Sequence, residues 1–404
     1  MTYIKRGTSE FKKVNIALFA GGFCTFALLW GTQPLLPEFA EEFHISPASS
    51  SISQTSTTVA LAISLLIAGS LSEIFGRKTV MFISLVASSI LSVITGFVPN
   101  FGLLILCRIL QGITLAGLPA VAMAYLGEEI EKKSLGMAMG LYISGNSIGG
   151  MAGRIINGIL TDYFGWHIAL IGIGIVSLLA TIIFWLVLPP STHFKPRTFR
   201  MKHLVITLFS QFKAPGLIYL FFIGFLLQAG FVSLYNYIGF ELIKPPYSLS
   251  QTLIGFIFVV YIVGTFSSTW MGMLADQYGK RKILQLSIII LLIGVCITLN
   301  LNIWLKIFGL AIFTFGFFAG HSIASSWVGE LAANNRAQAA SLYLFSYYSG
   351  GSVMGTATGV FYDHFDWLGV VAMIAVLSLI SLLFLNRLGT VTKEKFKFSP
   401  HKIY

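Results

Sequence analysis

Apolar runs of about twenty residues alternate with short polar breaks along nearly the whole chain. A helix needs about 20 residues to cross roughly 30 Å of hydrocarbon, so these runs predict membrane-spanning helices. The short alternating strands of a membrane barrel are not seen. The first run follows polar, basic residues 1–13, with Lys5, Arg6, Lys12 and Lys13, and reaches about Pro37. It is too long for a signal peptide and lacks the small-residue cleavage site, so it is expected to stay as a helix. Further spans are expected near 49–74, 78–97, 102–126, 135–161 and 167–188. After a basic, proline-containing link over 189–213, six more follow near 215–240, 249–275, 281–300, 304–328, 337–362 and 367–387. The pattern predicts an all-α polytopic membrane protein of twelve transmembrane helices, with six in 14–188, six in 214–388 and a basic tail over 389–404.

Composition agrees. The chain is 56% apolar and 10% charged, too few charges for the shell of a soluble protein of this size. Cys24, Cys107 and Cys296 fall inside apolar runs and read as small core residues, with no disulfide framework or metal site expected. Twenty-two of the twenty-six bases lie in the termini, the central link and the loops on that same side, while the opposite loops hold Lys244 and Lys306. The positive-inside rule therefore puts both termini and the link in the cytoplasm of a plasma membrane, bacterial by expectation. The net charge of +11 reads as topology and contact with anionic headgroups, not as nucleic-acid binding.

The chain repeats itself. Gly69-Ser70-Leu71-Ser72-Glu73-Ile74-Phe75-Gly76-Arg77-Lys78 returns 203 residues later as Gly272-Met273-Leu274-Ala275-Asp276-Gln277-Tyr278-Gly279-Lys280-Arg281. Gly127-Glu128 matches Gly329-Glu330, and Gly149-Gly150, Asp162 and Trp166 match Gly350-Gly351, Asp363 and Trp367. Two six-helix halves related by duplication are the plan of carriers that hold a substrate near the midplane.

These two hinge loops resemble the signature of the major facilitator superfamily, and the likeness extends over the whole chain. Leu104-Ile105-Leu106-Cys107-Arg108-Ile109-Leu110-Gln111-Gly112 resembles the fourth-helix motif of its twelve-span drug:proton antiporter branch. Gly145-Asn146-Ser147-Ile148-Gly149-Gly150 is similar to the fifth-helix antiporter motif, with Asn146 where that motif has proline. Gln33-Pro34-Leu35-Leu36-Pro37 and Gly149 to Arg154 look most like the bacterial YnfM-type group of efflux carriers. The resemblance implies the major facilitator fold, two pseudo-symmetric six-helix bundles, and a carrier that works alone as a monomer.

The resemblance makes Gly69, Glu73, Gly76, Arg77, Lys78 and Glu128, with Gly272, Asp276, Gly279, Lys280, Arg281 and Glu330, a cytoplasmic gate. Glu128 is expected to pair with Arg77 or Lys78, and the second copy to do the same; Glu73 replaces the aspartate usual in the first copy. The bland reading is a set of solvated interfacial charges, each worth well under 1 kcal/mol. Arg108 and Arg154 sit inside apolar spans, where a central arginine costs about 2.5–3.5 kcal/mol, so each should face a cavity or partner. The family links Arg108's motif to proton coupling. Arg154 is left open between an anionic group, a pair with Glu38 or Glu241, and a side chain reaching the outer headgroups.

No acid stands clearly at mid-membrane: Glu38, Asp162, Glu241 and Asp363 fall near outer ends. His321, followed by Ser322, Ser325 and Ser326, is the near-neutral titrating group at depth, so the coupling candidates are Arg108, Arg154, Glu38, Glu241 and His321. In this family the first, fourth, seventh and tenth helices line the cavity. That points to Trp30, Gln33, Gln228, Tyr235, Asn236, His321, Ser325 and Trp327, with Asn146, Asn157, Tyr347 and Tyr348 from the fifth and eleventh. Ring walls with a few amides suit amphipathic or aromatic molecules and sugars. Packing between helices explains the same residues, and the glycines at 145, 149, 150 and 153 and at 350, 351, 355 and 359, without a substrate.

Phosphate loops, zinc-type ligand pairs and nucleophile elbows are missing, so no enzyme and no cofactor are expected. The leading expectation is a proton-coupled exporter of a small organic compound, drug-like, sugar or metabolite. An uptake carrier for a sugar or organic anion, a lipid translocase on this fold and a non-transporting receptor or scaffold stand as alternatives.

Overall fold

The structure, a computed structural model, describes residues 3–194, 206, 208, 210–212, 216–332 and 336–398. The middle of the expected link over 189–213 and the last residues of the expected tail over 389–404 lie outside the described residues, as do residues 1 and 2.

Among the described residues thirteen α-helices have defined bounds: α1 Ser9–Trp30, α2 Leu36–Glu42, α3 Pro47–Phe75, α4 Arg77–Thr95, α5 Phe101–Leu115, α6 Gly117–Glu129 and α7 Lys132–Val187, then α8 Leu217–Ile243, α9 Gln251–Ile257, α10 Tyr261–Tyr278, α11 Lys280–Ile297, α12 Ile303–Leu331 and α13 Arg336–Phe398. Nine stretches among the described residues are long and apolar enough to cross a membrane. Two of them are helix pairs, α7 broken at Gly165 (φ 80°) and α13 broken at Asp366 (φ 48°). Lys280–Ile297 is eighteen residues long behind a basic first turn and completes twelve spans. α5 with α6 forms the fourth span and α9 with α10 the eighth.

Local chemistry sets the ends. Ser46 and Asn100 stand before α3 and α5 and accept N–H bonds from Ser49 at 3.1 Å and Leu103 at 2.9 Å, with Pro47 at the first helical position of α3. Gly76 and Gly279 turn the chain between α3 and α4 and between α10 and α11 at φ 90° and 94°, values a side chain resists. The duplication is thus visible in the backbone as well as in the letters.

The chain divides into two compact units, Met1–Phe199 with Gly239–Val259, and Arg200–Ile238 with Val260–Tyr404. The last of the three divisions falls within the 3₁₀ turn Phe258–Val260 that separates α9 from α10. In the first unit α1 lies along α7 on a glycine row. A Cβ added at Gly145 would come within 2.6 Å of the Phe19 carbonyl oxygen, and one at Gly153 within 2.6 Å of Ala27 Cα. Phe11, Val14, Leu18, Met81, Leu85, Leu118, Tyr125 and Phe184 fill the core where α1, α4, α6 and α7 meet. Cys24 and Cys107 are buried as expected, but Cys296 is exposed. It follows exposed Ile289 and Ile293 at helical spacing, on the outward apolar side of α11.

Candidate functional site

The ends that carry Gly76 and Gly279 are called the hinge ends here, and the opposite ends the far ends. At the hinge end of the first unit, Arg77 is buried and Glu128 receives it as a fork, Nε to Oε2 at 3.2 Å and Nη2 to Oε1 at 2.7 Å. Glu73 stands 3.9 Å from the same guanidinium, which also donates to Ser72 Oγ and to the Gly69 carbonyl. Lys78 turns away, donating to the Leu188 carbonyl at 2.6 Å and lying over the Trp185 ring. In the second unit Lys280 donates to Glu330 at 2.6 Å and Ser326 at 2.8 Å, and Arg281 reaches Asn386 at 3.3 Å. Asp276 is exposed, with no hydrogen bond or ion pair among the described residues. A cleft of about 620 Å³ opens here between Tyr278, Lys280, Lys282, Gln285, Trp327 and Glu330. Trp327 and the exposed Ser325 therefore sit toward the hinge end rather than beside the deeper rings.

In the first unit, beside the Arg77–Glu128 pair, lies a cluster that the sequence did not single out. Glu129 is buried and accepts from Thr192 Oγ1 at 2.7 Å, from the His193 backbone N–H at 2.8 Å, and meets His193 Nδ1 at 3.0 Å. Tyr3 stacks on the His193 ring at 4.6 Å, and Ile4 exchanges backbone bonds with Glu129 and Glu131. The start of the link is strapped to the end of the fourth span.

Arg108 is fully enclosed in the first unit. It donates to the carbonyls of Leu28, Leu29 and Ser53 at 3.3–3.4 Å and to the side-chain oxygens of Gln111 and Gln54. Gln54 in turn takes a bond from Thr32 at 2.8 Å, and Gln111 donates to the Ser88 carbonyl at 3.0 Å. These acceptors are neutral, and they gather where α1 ends. Arg154, also buried, donates Nε and Nη2 to Gln33 Oε1 at 2.9 and 2.7 Å and Nη1 to the Gly150 carbonyl at 2.7 Å. Its face lies between the rings of Trp30 and Phe258, 5.2 and 4.6 Å away. Asn157 donates to the Gly31 carbonyl at 2.9 Å, and Asn146 packs against Gly22.

At the far end of this unit Asp162 accepts the backbone N–H groups of Gln251 at 2.9 Å and Thr252 at 2.8 Å. Glu38 accepts from Gln251 Nε2 at 2.8 Å. Glu241 stands near Tyr247, whose hydroxyl pKa is pushed up by burial and then by that carboxylate.

In the second unit the rings form a wall. Phe231 stacks on Phe317 at 3.8 Å, Tyr261 closes on Tyr235 at 5.1 Å, and the Tyr235 hydroxyl meets Thr314 at 2.6 Å. His321 is partly buried, its Nδ1 3.0 Å from the Tyr343 hydroxyl and its ring 4.4 Å from that of Tyr347. Tyr348 lies edge-on to Tyr347 at 5.3 Å. Gln228 is fully buried on α8, its Cγ against Gly351, and neither end of its amide finds a partner among the described residues. Asn236 lies two turns further along α8, beside Gly355.

The profile of the Major Facilitator Superfamily matches residues 18–244 and 236–401. The chain belongs to the major facilitator superfamily. This facilitator is 52% identical over 382 residues to the uncharacterized MFS-type transporter YybF of Bacillus subtilis, covering 95% of both chains. It is 45% identical over 386 residues to the inner membrane transport protein YnfM of Escherichia coli, covering 96% of this chain and 93% of that one. A solved bacterial homologue of the human lysosomal transporter Spinster, inward-facing and occupied, shares the fold at TM-score 0.77 with 15% identity, over 95% of this chain and 98% of that one. The facilitator is a multi-pass membrane transporter and not an enzyme.

Proposed function

We propose that this transporter exports a small organic compound in exchange for protons, by alternating access, with the hinge ends toward the cytoplasm. The observation that carries the proton reading is His321, with Nδ1 3.0 Å from the Tyr343 hydroxyl in a wall of rings. A histidine is the side chain whose ordinary titration falls near neutral pH, and here its ring nitrogen meets a hydroxyl neighbour. Two acids at the far end are engaged otherwise, Asp162 with backbone N–H groups and Glu38 with Gln251. Each charge moved inward supplies about 2.3 kcal/mol at 100 mV, enough to drive an export step.

The likeness of Leu104 to Gly112 and of Gly145 to Gly150 to antiporter motifs supports export. Tyr347, Tyr348, Phe231 and Phe317 offer ring faces to an aromatic or amphipathic substrate, and Gln228 offers an amide without a partner among the described residues. The bases at 5–13 and 77–78 support a cytoplasmic hinge end.

The test uses purified protein in vesicles of defined orientation, a panel of aromatic and sugar compounds, and an imposed pH gradient. The reading expects gradient-driven movement out of the cytoplasmic side. His321→Gln should abolish the drive by the gradient while leaving exchange of labelled for unlabelled compound. Movement indifferent to the gradient in the parent protein would remove the proton coupling.

A further inference from the structure

We infer that Asp162 is a positioning residue for the transport cycle: it clasps the start of the eighth span to the end of the fifth and must release for the cycle to proceed. The inference rests on the carrier reading above.

By sequence the eighth span, Gln251–Tyr278, belongs to the second repeat, yet its first turns fall in Gly239–Val259 of the first unit. Its inclusion has visible causes. The two oxygens of Asp162 each take one backbone N–H, from Gln251 at 2.9 Å and Thr252 at 2.8 Å. Gln251 adds a side-chain bond to Glu38 at 2.8 Å. Just below, the fifth and eighth spans touch through glycines. A Cβ at Gly158 would lie 2.6 Å from the Gln251 carbonyl oxygen, and one at Gly255 would lie 3.1 Å from that of Arg154. The polar clasp, the glycine contact and the Phe258 ring on Arg154 hold a segment that the chain joins to the other unit at the turn Phe258–Val260.

Such a contact is built to part. Glycine against glycine gives a smooth contact at this level, the Phe258 ring 4.6 Å from Arg154 is the side chain that has to part with it, and Asp162 is exposed, so water replaces the two N–H donors as they leave. A charged acceptor on two backbone donors is worth more than a neutral one, so the clasp biases the equilibrium toward the joined arrangement. Asp363 stands 201 residues later at the matching place in the second repeat, so the acid came with the duplication.

Two substitutions remove the clasp from opposite sides. Asp162→Asn keeps the shape but leaves one acceptor oxygen in place of two. Thr252→Pro deletes one of the two N–H donors in the first turn of its helix, where proline is tolerated. The reporter is Ile155→Cys, placed where Gly255 packs over the Ile155 Cα, with Cys24, Cys107 and Cys296 replaced by alanine. Intact cells and inverted vesicles are treated with a membrane-impermeant maleimide, so that whichever side the far ends occupy is sampled. Both variants should raise the labelling rate about tenfold from one side, the effect of losing one charge-assisted bond. The double variant should add little, and Asp162→Glu should restore the parent rate. A residue that only holds the fold together would lower yield and melting temperature and leave this rate alone. If Asp162→Asn does not fold, Thr252→Pro decides by itself. Unchanged labelling in the variants that fold overturns the inference. The readout needs neither substrate nor gradient, so increased labelling in a protein that moves no compound would keep the clasp and sink the carrier reading.

Discussion

Arg77 grips Glu128 by one edge of its guanidinium, Nη2 at 2.7 Å and Nε at 3.2 Å, directly after the glycine that turns α3 into α4. The second repeat has the same pair in simpler form: Lys280, directly after Gly279, donates to Glu330 at 2.6 Å. The copies differ in surroundings. Arg77 is 9% exposed and Glu128 30%, whereas Glu330 is 62% exposed. A half-solvated single bond is screened and entropically costly, while a buried fork leaves a charge stranded when one partner goes. Glu128→Gln should therefore slow transport and lower the melting temperature clearly more than Glu330→Gln, and Arg77→Lys should not rescue the fork. Equal effects from the two glutamines would show that the first copy carries no special weight.

Arg108 answers to a different measurement. Five neutral oxygens receive it, from Leu28, Leu29, Ser53, Gln54 and Gln111, and it joins the end of α1 to α3. A lysine keeps the charge but reaches these carbonyls from a single point. Arg108→Lys should lose several carbonyl bonds at about 1–3 kcal/mol for each group left unsatisfied, and unfold well below the parent. Gln111→Leu, which strands one edge of the guanidinium, should cost less but act in the same direction. Thermal melting in detergent checks both, and an Arg108→Lys protein as stable as the parent would speak for a coupling role without a structural one.

The repeat explains why so much could be read from letters. Twelve spans and the hinge glycines at 76 and 279 follow from hydropathy and self-similarity, because both are periodic properties of residue type, while the pairing of Glu128 with Arg77 or Lys78 is implied by the resemblance to the superfamily. Asp162 could not be read that way: its partners are the backbone N–H groups of Gln251 and Thr252, which every residue but proline possesses. Glu129 was hidden for a related reason. It sits in a run of charges, Glu128-Glu129-Ile130-Glu131-Lys132-Lys133, that reads as a solvated loop. The final turn of α6 directs one of the two adjacent acids outward to Arg77 and rotates the next one inward. Gln33 meets Arg154, and that match of an amide with a guanidinium over more than a hundred residues has no signature in spacing.

The strap at Glu129 gives a prediction about the central link. Thr192 and His193 hold its start against α6, and Tyr3 covers the histidine. Glu129→Gln cannot accept on both oxygens, and His193→Ala removes the stacking surface as well as the ring nitrogen. Either change should raise the rate of tryptic cleavage among the bases of the link severalfold, since cleavage follows the population of the opened form. The parent and Glu131→Gln should be cut at the same slower rate. Identical digestion of all four proteins would mean that the strap does not restrain the link.

Gln228 separates packing from binding. Both ends of its amide are buried without a partner among the described residues, a condition that costs about 1–3 kcal/mol for each such group. Water or a ligand group can satisfy such an amide, and the two are told apart by substitution. Leucine at this position fills a similar volume and removes the unsatisfied atoms, so Gln228→Leu should raise the melting temperature of the empty protein. If the amide meets substrate, the same variant should show a higher KM for transport and lose the stabilisation that substrate gives the parent. A more stable protein with unchanged KM would leave Gln228 as a packing residue, and the ring wall around Tyr347 and Phe317 would then have to recognise its compound without it.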